Sequence, residues 1–306
     1  MSGTTVTRSD PAPAPRLGDR PGAVLLCSDL DRTILPNGAQ PESPAARPLL
    51  RALARRPEVT IAYVSGRHRE LLAAAIEEYE IPQPAYAIGD VGTTIYRGAA
   101  GDWQAWPAWR EEISSDWGNR TSWELAPLLA GLPGIWLQEA EKQNHCKLSY
   151  YTPPRFGPAA ADRRGREELL AAVRARLADH DIRAALVWSI DEERDLGLLD
   201  VLPARAGKLA AIRFLMKRLG FVPANTVFAG DSGNDLDVLG SELNAVLVAN
   251  APAEVRREAL DRVRRTGRAE TLYCASGGFL GMNGNYAAGV LEGLAHYHPQ
   301  TIPWLL

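Results

Sequence analysis

Cysteine is scarce in this chain: three residues in 306, Cys27, Cys146 and Cys274. They lie far apart, lack the close spacing of a zinc or redox motif, and as an odd set cannot all pair. A disulfide-built secreted fold is therefore excluded, and a reduced, cytoplasmic protein is expected.

Long apolar runs are missing too. No stretch reaches the roughly 18 residues that a membrane-crossing helix needs. Nor does one sign of charge dominate. Lys plus Arg number 34 and Asp plus Glu 37, a formal net charge of −3, so no broad field draws in nucleic acid or an anionic membrane. Any anion site has to be a local arrangement. No repeat occurs at solenoid spacings. Nothing in the pattern specifies an oligomer, and a monomer is the default expectation.

What is present begins with length. A chain of 306 residues exceeds the usual size of one hydrophobic core, so two domains are expected. Residues 1–21, rich in Ser, Thr, Pro and Ala and without an apolar stretch, read as a flexible tail rather than a signal peptide or anchor. The apolar run Ala23 to Ser28 then predicts a buried parallel strand ending at Asp29. After a loop with Pro36, Asn37 and Gly38, the leucine spacing predicts a helix over Ser43 to Arg56. A strand at Val59 to Val64 and a helix at His68 to Tyr79 follow, an alternation that marks an α/β domain.

From Trp103 to Asp200 the character changes. Sheet-like stretches at Gly134 to Gln138, Cys146 to Tyr151 and Ala184 to Ile190 surround an amphipathic helix, Gly165 to Asp179, and predict an inserted α+β domain. The alternation resumes with a helix at Lys208 to Leu219, a strand at Thr226 to Ala229, a helix after Asn234 and a strand at Ala245 to Ala249. The expected division is a core from 22–102 and 201–306, interrupted by 103–200.

The motifs stand at the ends of these elements. Asp29 and Asp31 leave the first strand one residue apart, a spacing that aims two carboxylates at one reacting phosphorus. One can accept a phosphoryl group as an acyl phosphate; the other can protonate the leaving oxygen and later take a proton from water. Asp29 is the candidate nucleophile and Asp31 the candidate acid/base. Ser65 and Gly66 end another strand before a helix start, a place suited to phosphate, and Lys208 offers a point charge. Gly230-Asp231-Ser232-Gly233-Asn234-Asp235 adds carboxylates whose hard oxygens suit Mg2+. Asp29, Asp31, Asp231 and Asp235 are the candidate metal ligands, with Asp235 acting through water or by orienting Asn234. Taken singly, Asp-x-Asp is most often a turn and the second motif most often a helix-capping loop. An open parallel sheet gathers all these strand ends into one crevice.

These motifs, DLDRT at 29–33, YVSGR around Ser65, Lys208 and GDSGND at 230–235, resemble those of the haloacid dehalogenase superfamily. HCKLSYY at 145–151, LPARAGK at 202–208, GDSGNDLDVL at 230–239 and GGFLGMNGNYAAGVLEGLAHY at 277–297 are similar to its sucrose-phosphate phosphatase branch, with mannosylfructose-phosphate relatives. The likeness spans about Val24 to His298. It implies a Rossmann-like parallel-sheet core with an inserted α+β cap, hydrolysis of a sugar phosphate with Mg2+, and possible association with a sugar-phosphate synthase. It carries over Asp29, Asp31, Ser65, Gly66, Lys208, Asp231, Asn234 and Asp235 one by one as core-site positions. The sequence departs where many relatives carry Asn or Gly, at Arg32. For the sugar, Arg67 and the polar cap residues Glu139, Gln143, Asn144 and Lys147 are candidates. Trp103, Trp106, Trp109 and Trp117 either stack on a sugar or serve packing.

Overall fold

The computed structural model describes residues 16–98, 102–157, 159–191 and 194–306. Most of the expected tail lies outside the described residues. Its last part does not trail free: Leu17 packs against the core, and a Cβ on Gly18 would lie 2.4 Å from Gly220.

The first half of the core is β1 (Val24–Ser28), α1 (Ala46–Ala54), β2 (Val59–Val64), α2 (Arg69–Glu78), β3 (Tyr86–Gly89), β4 (Thr94–Arg97), β5 (Gln104–Ala105) and α3 (Pro107–Ser114). An insert follows with α4 (Ser122–Leu129), β6 (Trp136–Leu137), β7 (Leu148–Thr152), α5 (Ala159–Ala178), β8 (Ala184–Asp191) and β9 (Leu196–Pro203). The chain returns to the core through α6 (Lys208–Leu219), β10 (Thr226–Gly230), α7 (Leu236–Leu239), β11 (Asn244–Leu247), α8 (Ala253–Arg265), β12 (Leu272–Cys274) and α9 (Ala287–Tyr297).

The large sheet has the order β12-β11-β10-β1-β2-β3-β4-β5. Its pairings from β12 across to β3 are parallel, and β4 and β5 join antiparallel. Every residue of β1, β2 and β10 is buried, as expected for strands covered on both faces by helices. One layer of core gathers Leu26, Leu50, Tyr63 and Leu291 under α1 and α9; the other gathers Leu25, Ile212, Phe228 and Val255 under α6 and α8. The strand order reverses at β1, between β2 on one side and β10 on the other. This is the position at which open α/β sheets form their ligand crevice.

The second sheet, β6-β7-β9-β8, is antiparallel throughout. Its covered face packs on α4 and α5 through Trp117, Leu125, Tyr150, Val173 and Leu199. These are the parallel-sheet core and the inserted cap. The stretch expected to open the insert stays with the large sheet: β5 pairs with β4, and Trp109 and Ile113 of α3 pack in the core. The four tryptophans also pack. Trp103, Trp109 and Trp117 are buried, and Trp106 sits on Tyr86 and Phe214. No helix among the described residues is long and apolar enough to cross a membrane.

Candidate active site

Asp29 follows the last residue of β1, and its backbone N–H donates to Ala229 O of β10 at 2.9 Å. That bond carries the sheet register one residue past the strand and sets the carboxylate in the crevice. Asp231 leaves β10 at the same level. Asp29, Asp231 and Asp235 are all buried, and each can place one carboxylate oxygen within 4.8 Å of the others.

Lys208 opens α6, whose start is held by a close backbone approach. A Cβ on Gly92 would lie 2.3 Å from the carbonyl carbon of Gly207, which itself has φ +127°. A side chain at Gly92 would push Lys208 off its mark. The buried ammonium donates to Asp29 Oδ1 at 2.8 Å, Asn234 Oδ1 at 2.8 Å and Asp235 Oδ1 at 2.7 Å. Asp235 uses its other oxygen to accept the backbone N–H groups of Asp231 and Ser232, at 3.2 and 3.1 Å. The second-strand motif needs its first glycine for this reason, since a Cβ on Gly230 would lie 2.7 Å from the Asp235 carboxyl.

Three buried carboxylates around one buried ammonium leave two negative charges in excess, with the partly exposed Arg32 guanidinium 3.6 Å from Asp231 Oδ2 as the next cation. Burial pushes the Asp29 carboxyl well above the ordinary carboxylate range against the pull of Lys208, and Asp235 adds to the rise. Burial works against the Lys208 ammonium, yet Asp235 and Asp29 outweigh it and hold it charged. Asp231 Oδ2 is buried without a hydrogen-bond partner. An all-oxygen donor set, an excess of two charges and an orphaned carboxylate oxygen fit a hard divalent cation of the magnesium type. Asp235, with both oxygens engaged, serves the loop and Lys208 before any metal.

Asp231 is pushed up to about 6, by burial first and by Asp235 second. Between its ordinary 3.8 and about 6 the metal-free folded chain holds a proton that the unfolded chain has released. This contribution to stability is complete below pH 3.8 and is lost as pH rises through about 6. The stability of wild type relative to Asp231→Asn, measured by denaturant titration in EDTA, is therefore expected to fall across that window. A difference that rises or stays level would contradict the buried-carboxylate account.

Asp31 turns another way. Its carboxylate accepts Arg67 Nε at 2.8 Å, Arg67 Nη2 at 2.6 Å and Asn37 Nδ2 at 2.8 Å. Burial would raise its pKa, but Arg67 and Asn37 overcome this and hold it below the usual range. Asn37, a loop residue in the sequence pattern, also accepts the Arg32 N–H at 2.7 Å. Asn250 donates to the Arg32 carbonyl at 2.6 Å. Arg32 is thereby fixed at φ +59°, a left-handed conformation that costs a residue with a β-carbon on the order of 1–2 kcal/mol. Thr33 donates to Asp231 Oδ1 at 3.0 Å, tying the first motif to the last. Ser65 is buried at the end of β2, and its N–H donates to Ile88 O at 2.8 Å.

A cleft of about 370 Å³ opens above these groups, within the roughly 300–1,000 Å³ usual for small-ligand sites. Asp29, Asp31, Ser65, Gly66, Arg67, Asp231 and Asn234 form its floor; Gln138, Lys142, Lys147, Ser189 and Asp200 form its cap wall. Of the expected cap residues, Lys147 reaches the cleft, with Nζ 3.7 Å from Asp200 Oδ1. Glu139, Gln143 and Asn144 are placed elsewhere. Glu139 accepts from Tyr151, Gln143 ties Gln138 to Ser149, and Asn144 braces Thr93 and Cys146. Their polarity is spent on the cap loop. Gln138, Ser189 and Asp200 carried no motif; Gln138 directly follows β6, and only alternation along β8 and β9 could have turned Ser189 and Asp200 toward the cleft. A larger groove of about 740 Å³ lies behind Lys208, but Arg213 and Arg262 on its wall are paired with Glu242, Asp237 and Glu258.

Comparison with known proteins bears on the family and the fold. A HAD-like hydrolase from Nitrosococcus oceani is 54% identical over 282 residues, 92% of this chain and 74% of that protein. The mannosylfructose-phosphate phosphatase of Agrobacterium fabrum is 28% identical over 274 residues, 89% of this chain and 96% of its own. In fold, the sucrose-phosphatase of Synechocystis, solved with sucrose and phosphate, matches with a TM-score of 0.66 at 24% identity, covering 90% of this chain and 97% of that one. The family model for Sucrose-6F-phosphate phosphohydrolase matches residues 22–298. Over that span, which takes in both sheets and the crevice between them, the chain belongs to the sucrose-6F-phosphate phosphohydrolase family of phosphoric monoester hydrolases.

Proposed function

We propose that this sugar-phosphate phosphatase hydrolyses a disaccharide phosphate, sucrose 6-phosphate foremost, through a phosphoryl group carried transiently on Asp29. The observation that carries the reading is the Asp29 carboxylate, buried at the strand-order reversal beneath a polar cap wall and held by Lys208 at 2.8 Å. A nucleophile so placed meets phosphorus while water is kept back.

Asp29 attacks phosphorus as the sugar oxygen leaves, and Asp31 gives that oxygen its proton. Water then attacks the acyl phosphate and Asp31 receives the proton, so both groups return to their starting states. Arg67 and Asn37 hold Asp31 ionised in the substrate-free site, so Asp31 takes up the proton it delivers when the dianionic substrate enters and loosens that grip. Ser65, the Gly66 turn and Asn234 hold the phosphoryl oxygens, and Lys208 fixes Asp29 and Asn234 beneath them. Mg2+, held by Asp29 and Asp231 with Asp235 behind them, would neutralise phosphate charge as the nucleophile approaches. Gln138, Lys142, Lys147, Ser189 and Asp200 present mixed donors and acceptors suited to sugar hydroxyls. Mannosylfructose phosphate is the second reading, favoured by the end-to-end likeness to the Agrobacterium protein.

The test is phosphate release from sucrose 6-phosphate, mannosylfructose phosphate and glucose 6-phosphate side by side. One disaccharide phosphate is expected to exceed glucose 6-phosphate in kcat/KM by ~100-fold or more, because unfilled polar sites on the cap wall are penalised. EDTA should abolish release and Mg2+ restore it. Equal, slow turnover of the whole panel would remove the disaccharide reading.

A further inference from the structure

We infer that Arg32 is a phosphate ligand of this site, an assignment that rests on the hydrolase reading above. Its side chain lines the cleft floor beside Asp29, Ser65 and Asp231. Its Nε lies 3.6 Å from Asp231 Oδ2, beyond hydrogen-bond reach, and both atoms are buried without a hydrogen-bond partner. The guanidinium thus leans on the carboxylate without committing its donors, and the side chain is 39% exposed toward the cleft.

The other cations near the floor are spent. Lys208 has three acceptors, and Arg67 is bidentate to Asp31. The charges divide accordingly. Arg67 cancels Asp31, and Lys208 with a divalent cation cancels Asp29, Asp231 and Asp235. Arg32 then stands as the core cation left to meet a phosphate dianion. A guanidinium presents paired N–H groups that match two phosphoryl oxygens.

The mounting is rigid. Asn37 and Asn250 hold the Arg32 N–H and carbonyl, at 2.7 and 2.6 Å, and fix φ at +59°. Asn or Gly adopts such a backbone more readily than Arg. A long cation kept at this position is consistent with work done by its head group. The competing account is that Arg32 merely stands in for a metal beside Asp231.

Calorimetric binding of inorganic phosphate to the full chain, with Mg2+ present, separates the two. Arg32→Asn is expected to weaken phosphate binding roughly 10–100-fold, the worth of hydrogen bonds to a charged group. Arg32→Lys should recover part of the loss, while Mg2+ affinity without phosphate should rise no more than a few-fold, the effect of removing one partly exposed cation beside Asp231. Because Asn suits the left-handed backbone, the variant should melt no lower than wild type, which confirms that it folds. Phosphate affinity within about twofold of wild type in Arg32→Asn, or a gain in Mg2+ affinity with phosphate binding unchanged, overturns the assignment. If wild type turns over none of the sugar phosphates while Arg32→Asn weakens phosphate binding, the hydrolase reading falls and Arg32 stands. Active wild type with unaltered phosphate binding in the variant sinks Arg32 alone.

Discussion

Replacing Asp29 with Asn should lower phosphate release by ~10⁴-fold or more while leaving the chain folded, because loss of a covalent nucleophile removes the reaction path rather than one contact along it. The substitution is nearly isosteric. The amide retains an oxygen to accept the Lys208 ammonium, now 2.8 Å from Asp29 Oδ1. It also removes one of three clustered buried carboxylates, so the midpoint of thermal unfolding should not fall. A rapid-quench experiment with phosphorus-labelled substrate supplies the second readout: wild type should carry acid-stable label on protein during turnover, and Asp29→Asn none. Steady turnover by the variant, or label retained on it, would sink the nucleophile assignment.

The second large effect is expected at Lys208. Its ammonium is buried and binds acceptors on Asp29, Asn234 and Asp235. Lys208→Met keeps the volume of the stem and leaves the carboxylates facing one another without a cation. Removing one partner of a buried ion pair typically costs about 3–5 kcal/mol, so the denaturation midpoint of the metal-free protein should drop sharply. Mg2+ should recover more stability in the variant than in wild type, since Asp29 and Asp235 have lost the ammonium that paired with them. Adding Asp235→Asn to Lys208→Met should recover part of the loss, which a packing defect would not do. Unchanged metal-free stability in Lys208→Met would show that the carboxylates are already neutral in the folded chain.

Much of this site was legible before any fold was known. Asp29, Lys208, Asp231 and Asp235 could be gathered from sequence because parallel strands bring their ends to one edge, and each motif sits at such an end. Val59–Val64 and Lys208–Leu219 matched their expected bounds, one a continuous apolar run and the other a helix opened by glycine and closed before glycine. The strand Leu196–Pro203 was not legible. Gly197 and Asp200 break its apolar pattern, and its pairing with β7 and β8 is what makes it a strand. The cap wall was obscure for a related reason. Whether a polar residue such as Gln143 faces a ligand or satisfies a loop depends on local hydrogen bonding, and spacing does not encode that. Asn37 and Asn250 were hidden likewise, since both act on the backbone of Arg32, far from one of them in sequence.

The placement of β1 between β2 and β10 bears on how the chain is made. Its neighbour β2 emerges from the ribosome soon after it, but β10 follows only once the whole cap has been synthesised. Roughly 200 residues separate the two, so at ~5–20 residues per second the central strand spends about 10–40 s with one edge unpaired. Every β1 residue is buried in the finished fold, and an unpaired strand edge is the kind of surface that pairs with other nascent chains. Productive folding of the core is therefore delayed until late in translation. The yield of active protein in a cell should depend on chaperone supply and elongation rate as much as on the stability of the finished molecule.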